Sequence, residues 1–162
     1  LWEHEFLCKE RITETIKRWL DIKKHEIVDY QFNSVSVNSN PNRDDVKLLL
    51  SKYHYLPFVG KGGYVFGAYV GDVIIGACIF SPLVRQNVRT NQFNQKESIE
   101  LSRLCIHPNY QKKNFASWFV SRCIKKLSDD IKLIISYCDT TYNHDGAVYK
   151  SLNFKLDGVV PS

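Results

Sequence analysis

A chain of 162 residues, 44% hydrophobic and 24% charged, holds enough apolar material for one domain with its own core, which excludes a disordered or fibrous polypeptide. No apolar run approaches the roughly 18 residues that a membrane-spanning helix needs, and the charged opening stretch does not read as a secretion signal. A net charge of +5 suits an anionic partner, either a nucleic acid or a phosphorylated cofactor, without choosing between them.

In chain order, residues 3–24 read as a helix, with Ile12, Ile16, Trp19 and Leu20 on one stripe. Residues 27–37 alternate in part, through Val28, Tyr30, Phe32, Val35 and Val37, and predict a strand. Ser39-Asn40-Pro41 marks a helix start, because proline suits the first helical position and Asp44 and Asp45 follow in the first turns. Val46, Leu49, Leu50 and Tyr53 form its buried face, Pro57 stops it, and Gly60-Lys61-Gly62-Gly63 reads as a linker. Residues 64–70 and 73–80 predict two strands joined tightly at Gly71-Asp72.

A long connection follows over 81–98. Its stretch from Arg85 through Arg89 to Lys96 carries three cations, no acid and six Asn or Gln residues. Such a loop suits phosphate and base-edge contacts, or is simply a solvated surface loop. Residues 100–106 predict a largely covered strand, ended by His107-Pro108-Asn109. A helix then begins, with Asn114 as its N-cap and Phe115, Phe119, Val120, Cys123, Ile124 and Leu127 on one face. A loop entering a helix N-terminus offers unpaired backbone N–H groups and a favourable dipole, which together suit a pyrophosphate. Lys112 and Lys113 lie beside that position, although an ordinary connection would look the same. Residues 131–138 predict a strand, 139–146 a polar loop, 145–152 a short helix and 154–160 a last strand. The fold class expected is α/β, a mixed, mostly antiparallel sheet with helices on both faces. The chain begins Leu-Trp-Glu-His-Glu, contains no methionine and ends in Val-Val-Pro-Ser, and so reads as a piece of a longer protein. Cys8, Cys78, Cys105, Cys123 and Cys138 show no paired spacing. They predict reduced thiols in a cytoplasmic protein and no metal site.

Two motifs resemble the GNAT superfamily of N-acyltransferases. Ile106-His107-Pro108 followed by Gln111-x-x-Asn114-x-Ala116 resembles its strand, pyrophosphate loop and helix, with Asn114 in place of a glycine. Tyr149-x-x-x-Asn153-Phe154 resembles its Tyr-x-x-x-Gly-Phe helix end, again with Asn for Gly. Asparagine is the residue other than glycine that best tolerates positive φ. The resemblance implies acetyl-CoA or a related acyl-CoA as cofactor. Its pantetheine arm would run along the backbone of Leu104, Cys105 and Ile106, and its pyrophosphate would meet Gln111, Lys112, Lys113, Asn114, Phe115 and Ala116. It also implies a final strand beyond residue 162.

A narrower resemblance spans about residues 50–160. Glu100-Leu101-Ser102-Arg103-Leu104-Cys105, Ser117-Trp118-Phe119-Val120-Ser121-Arg122 and the run from Ser136-Tyr137-Cys138-Asp139 to Tyr149 are similar to the phage Mom family. Tyr53-His54-Tyr55 is similar to an early His-Tyr of that family. Mom proteins convert adenine in phage DNA to an N6-carbamoylmethyl form that resists restriction. The resemblance implies double-stranded DNA as partner, with Ser102 and Arg103 on the cleft floor and Asp139 and His144 at strand ends. His54, Asp139 and Tyr149 would surround a flipped adenine, with Tyr149 as proton donor. From the residues alone, His54 could equally cap a helix, Asp139 start a turn and Tyr149 pack. Arg85, Arg89, Lys96 and Arg103 would meet the DNA. Residues 1–24 faintly resemble the end of a very-short-patch-repair type nuclease, which divides the chain into a helical remnant and an acyltransferase-like domain over 25–162.

Overall fold

The computed structural model describes residues 26–54, 56, 63–83, 93–138 and 146–158. The helix expected over 3–24, the linker near Pro57, most of the basic loop with Arg85 and Arg89, and the loop carrying Asp139 and His144 lie outside the described residues.

Strand β1, Val35–Asn38, begins a five-stranded sheet ordered β1-β2-β3-β4-β5. The strand expected over 27–37 is therefore confined to its end. Before it the chain is extended and then makes one 3-10 turn at Phe32–Ser34. Its bonds go to a loop instead of the sheet: the Val28 N–H donates to the Asn109 carbonyl (2.8 Å), and the Tyr30 hydroxyl to the Tyr110 carbonyl (2.6 Å). Helix α1, Arg43–Tyr53, follows. Its cap is Asn42, whose side chain accepts from the Asp44 N–H, and not the Ser39-Pro41 start that the sequence suggests. Asp44 and Asp45 at its first turn and Lys52 at its last complement the helix dipole. Pro41 instead lies over β2, where Gly67 leaves room for it: a Cβ there would stand 2.8 Å from the Pro41 ring.

Strands β2, Tyr64–Val70, and β3, Val73–Pro82, form the expected antiparallel hairpin, closed at Gly71 with φ +56°. Strand β4, Ser98–Ile106, pairs antiparallel with β3. Helix α2, Phe115–Ile124, carries the chain over to β5, Leu133–Ile135, which lies parallel to β4. The strand expected over 131–138 is thus only its middle three residues. Helix α3 is Ala147–Ser151, and residues 154–158 form no strand, with Leu156 fully solvated at 87% exposure.

The sheet is covered on both faces, as the alternation of its strands requires. One face packs Phe66, Ala68, Cys78, Phe80, Ile99 and Leu101 against Phe115, Phe119, Val120 and Cys123 of α2. The other packs Val65, Ala77, Ile79 and Cys105 against Val46, Leu49 and Leu50 of α1. Each fully buried phenylalanine or leucine contributes about 1.5–3 kcal/mol, so these helices fix the sheet from both sides. Among the described residues no helix is long and apolar enough to cross a membrane.

Candidate active site

Strand β4 carries the site because its two edges differ. Along β3 it is paired over nearly its whole length. Along β5 the ladder covers only Ser98–Glu100, matched to Leu133–Ile135. Past that point the two parallel strands separate, and no described strand pairs with that edge from Leu101 to Ile106. The backbone of Leu104, Cys105 and Ile106 lies along this gap. The Cys105 side chain is not part of it, being buried against α1 with its thiol 3.9 Å from the Leu49 carbonyl.

A second irregularity lies in the same strand. Ile79 faces Arg103 and Phe80 faces Leu101, so Ser102 is an extra residue, a β-bulge. Its hydroxyl lies 2.8 Å from the Ser81 hydroxyl and donates to the Ile79 carbonyl (3.2 Å). Bulges re-aim neighbouring side chains, and here Arg103 follows. One Arg103 nitrogen, Nη1, donates to the Ser102 carbonyl (2.6 Å), while its buried Nε has no hydrogen-bond partner among the described residues. Glu100 is close to it: burial raises the Glu100 carboxyl above its ordinary value, and Arg103 pulls it partly back. A carboxyl perturbed in this way at the mouth of a gap is a candidate for proton transfer. Sequence reasoning passed over Glu100, although an acid inside an otherwise apolar strand was the available signal.

At the far end of β4 His107 anchors the turn. Its N–H donates to the Ile75 carbonyl (2.8 Å), its Nδ1 accepts from the Asn109 N–H (3.2 Å), and its Nε2 lies 3.3 Å from the Tyr53 hydroxyl. The chain then turns through Pro108–Tyr110 and enters α2 at Asn114, which has φ +64°. Asn114 occupies the N-cap position without a side-chain cap bond and supplies the left-handed backbone instead. The N–H groups of Gln111, Lys112 and Phe115 are spent on carbonyls of the turn. Those of Lys113, Asn114, Ala116 and Ser117 make no hydrogen bond among the described residues. Four free donors at the positive end of a helix form an anion cradle. Lys113 is exposed beside it, whereas the Lys112 ammonium is turned back to the Asp29 carboxylate and the Tyr30 carbonyl, 4.7 Å over the Tyr30 ring. The lysine holds the Asp29 carboxyl below its usual range, and burial pushes the Tyr30 phenol up to about 12.

Tyr149 stands half-buried on α3, packed with the α2-side cluster and 5.7 Å from the Phe154 ring. Ser136, the residue after β5, is the polar side chain that acts on its phenol. The Ser136 hydroxyl in turn donates to the Leu101 carbonyl (3.0 Å), at the point where β4 and β5 separate. Burial raises the Tyr149 phenol above its ordinary value, with Ser136 pulling the other way and Cys138 and Cys78 adding to the rise. It is therefore protonated near neutrality and fit to donate.

The structure brings Glu100, Ser102 and Arg103 together on β4, while Tyr149 packs with the α2-side cluster and Ser136 reaches β4 at the Leu101 carbonyl. His54 belongs to the α1 layer: it follows the last helical residue, is 8% exposed, and its Nδ1 accepts from the Leu56 N–H (3.0 Å). It thus closes α1, on the sheet face opposite the cluster that holds Tyr149. Lys96 lies in the 3-10 turn Gln95–Glu97, whose capping box uses Asn94 and Glu97. Among the described residues no group of three or more His, Cys, Asp or Glu side chains could hold a metal ion.

Comparison with known proteins places this geometry. The sequence pattern of the Mom protein family matches residues 35–160. No curated protein matches the chain by sequence. Among solved structures, a ribosomal-protein-alanine N-acetyltransferase from Brucella melitensis biovar Abortus 2308 is similar over 79% of this chain and 97% of its own, with a TM-score of 0.55 and 14% identity. A GNAT-family acetyltransferase from Streptococcus pneumoniae TIGR4 matches over 79% and 94%, with a TM-score of 0.52 and 14% identity. An aminoglycoside acetyltransferase from an uncultured soil metagenomic sample matches over 100% and 90%, with a TM-score of 0.50 and 13% identity. At such identities the likeness is one of fold, and the fold is that of the N-acetyltransferases.

Proposed function

From the premise that this chain belongs to the Mom protein family, we propose that it is a DNA-modifying transferase acting on the N6 amino group of adenine, in the carbamoylmethyl manner, in phage DNA. The acyltransferase-like fold supplies the chemistry at the coarser level. The residues present fit an acyl-CoA. The four free N–H groups of Lys113, Asn114, Ala116 and Ser117 would hold its pyrophosphate, and the open edge of β4 at Leu104, Cys105 and Ile106 would meet its arm. When bound, it would supply an activated acyl thioester, whose direct transfer gives an N6-acyl group; a carbamoylmethyl group is joined to nitrogen through a methylene carbon and so needs a step beyond this transfer.

The chain's own groups would move two protons. As the amine attacks, its nitrogen forms a bond to the transferred carbon and must lose a proton. Glu100 is the candidate acceptor, because a carboxyl raised toward neutrality is a better base than an ordinary one. The Tyr149 phenol, which burial keeps protonated, would hold the proton that a leaving thiol needs. Arg103, with its unpartnered Nε, would orient the base edge. Such chemistry requires the adenine to leave its stack. Residues 25–162 would form this catalytic domain and 1–24 the remnant of a preceding unit, working in the cytoplasm of the phage's host.

The observation that carries the reading is the Tyr149 phenol, kept protonated by burial in the α2-side cluster with Ser136 acting on it near the end of the β4–β5 ladder, inside a chain that matches the Mom pattern. The Asn-for-Gly replacements do not weaken it: Asn114 and Asn153 have φ +64° and +61°, so both keep the left-handed turn that a glycine would give. Mass spectrometry of nucleosides from DNA of cells expressing the protein tests it. A modified deoxyadenosine is expected. Unmodified nucleosides, with expression confirmed, would refute it in favour of acyl transfer to a protein or small-molecule amine.

A further inference from the structure

An open groove of about 530 Å³ lies between α2 and β1, away from the gap between β4 and β5. One wall is Trp118 and Arg122 of α2 with Lys126 in the turn that follows it, each four residues from the next. The other is Phe32 and Asn33, with Val35 and Val37 of the sheet's edge strand. The Arg122 guanidinium lies 5.4 Å over the Trp118 ring, and Trp118 is 5.3 Å from Phe32 and 5.8 Å from Phe115. Among the described residues no acid lines the groove, and α2 has none along its length. Catalysis as proposed above uses none of these residues.

We infer that this groove binds a single strand of DNA. Two cations four residues apart, one on α2 and one in the turn after it, suit neighbouring phosphates, and the Arg122–Trp118 pair offers a plane on which an unstacked base can lie. The Asn33 amide can meet phosphate or base edge. Two cations and no acid among the described lining residues favour an acidic partner. Among acidic partners, aromatic planes beside paired cations favour nucleic acid over an acidic peptide. The choice of DNA rests on the reading that DNA is the substrate. A strand held here would be the unpaired one beside the modified base.

Fluorescence anisotropy with labelled oligodeoxythymidine tests the groove by itself, since this probe contains no adenine to modify. The full chain is expected to bind it, and Arg122→Glu with Lys126→Glu to weaken binding by about tenfold or more. Neutralising both as Arg122→Gln with Lys126→Gln should lower the salt slope by about 1.4, from two single-strand phosphate contacts. Unchanged melting temperature and acyl-CoA affinity would show that the variants keep the fold. No binding by the parent chain, equal affinity in the variants, or equal displacement by polyglutamate would overturn the inference. Oligodeoxythymidine binding that depends on Arg122 and Lys126, with no modified deoxyadenosine in cells, would keep the groove and refute only the adenine chemistry.

Discussion

Replacing Tyr149 by Phe removes one hydroxyl and leaves the ring on its contacts with Phe154 and the α2-side cluster. Two consequences follow from the structure, and they differ in size. The polar influence of Ser136 on the hydroxyl is lost, at a cost of at most about 1 kcal/mol. For a domain of this size that lowers the melting temperature by about 2–4 °C. Ser136 keeps its bond to the Leu101 carbonyl, so the gap stays open. Loss of the proton donor should lower the transfer rate by roughly 10²–10⁴-fold, or about 2.7–5.5 kcal/mol in the barrier. Transfer is read by nucleoside mass spectrometry after timed incubation, acyl-CoA affinity by calorimetry and stability by thermal melting. The phenol is raised above the ordinary 10, so the parent protein should show no fall in rate from its ionisation below that pH. The folded state holds this proton more tightly than the unfolded chain. Its stabilisation is therefore present at neutral pH and lost only as pH rises through the folded value. A rate within about threefold of the parent, with affinity unchanged, would remove Tyr149 as the acid.

Glu100→Gln tests the candidate base. Its carboxyl is raised in the folded state, so the parent loses stability as pH rises from the ordinary 4.5 through the folded value. The variant lacks that loss, and in urea denaturation its relative gain should be absent near about pH 4 and present near about pH 7. Its transfer rate should fall roughly 10²–10⁴-fold and lose the rise with pH that a titrating base gives; a parallel pH profile in both proteins would refute the role. Asn114→Gly should keep the left-handed turn and leave acyl-CoA affinity near that of the parent. Asn114→Ala should cost about 1–2 kcal/mol and weaken that affinity, because Cβ disfavours φ +64° without asparagine's local compensation; equal behaviour of the two variants in melting and calorimetry would show that the turn does not need this backbone.

The sequence makes some of this legible and hides the rest for identifiable reasons. Gly71-Asp72 announces its hairpin because a two-residue turn needs particular backbone angles, and chemistry that permits them is local. The buried face of α2 is readable because Phe115, Phe119, Val120 and Cys123 repeat at helical spacing and all are buried. Residues 27–31 mislead because alternation records which side a residue faces, not what its backbone pairs with. Tyr30 points inward as expected, yet its hydroxyl belongs to the turn after β4. Phe154 and Leu156 look like a strand, but Phe154 packs on Tyr149 and Leu156 faces solvent. The bulge at Ser102 is a property of register between two strands and has no signature within either. The perturbed Glu100 follows from that register and from burial, so it too needs the fold.

Ser136 links the shape of the cleft to its chemistry. A parallel ladder continues while each strand supplies main-chain donors to the next. After Ile135 the Ser136 side chain, in place of a backbone N–H, takes the Leu101 carbonyl. The ladder ends there, and β4 runs on to Ile106 with that edge open. The same side chain is the polar group that acts on the Tyr149 phenol, and it works against burial by favouring the phenolate. Burial is the larger influence, so the phenol keeps its proton beside the point where the ladder ends and the β4 edge opens from Leu101 to Ile106.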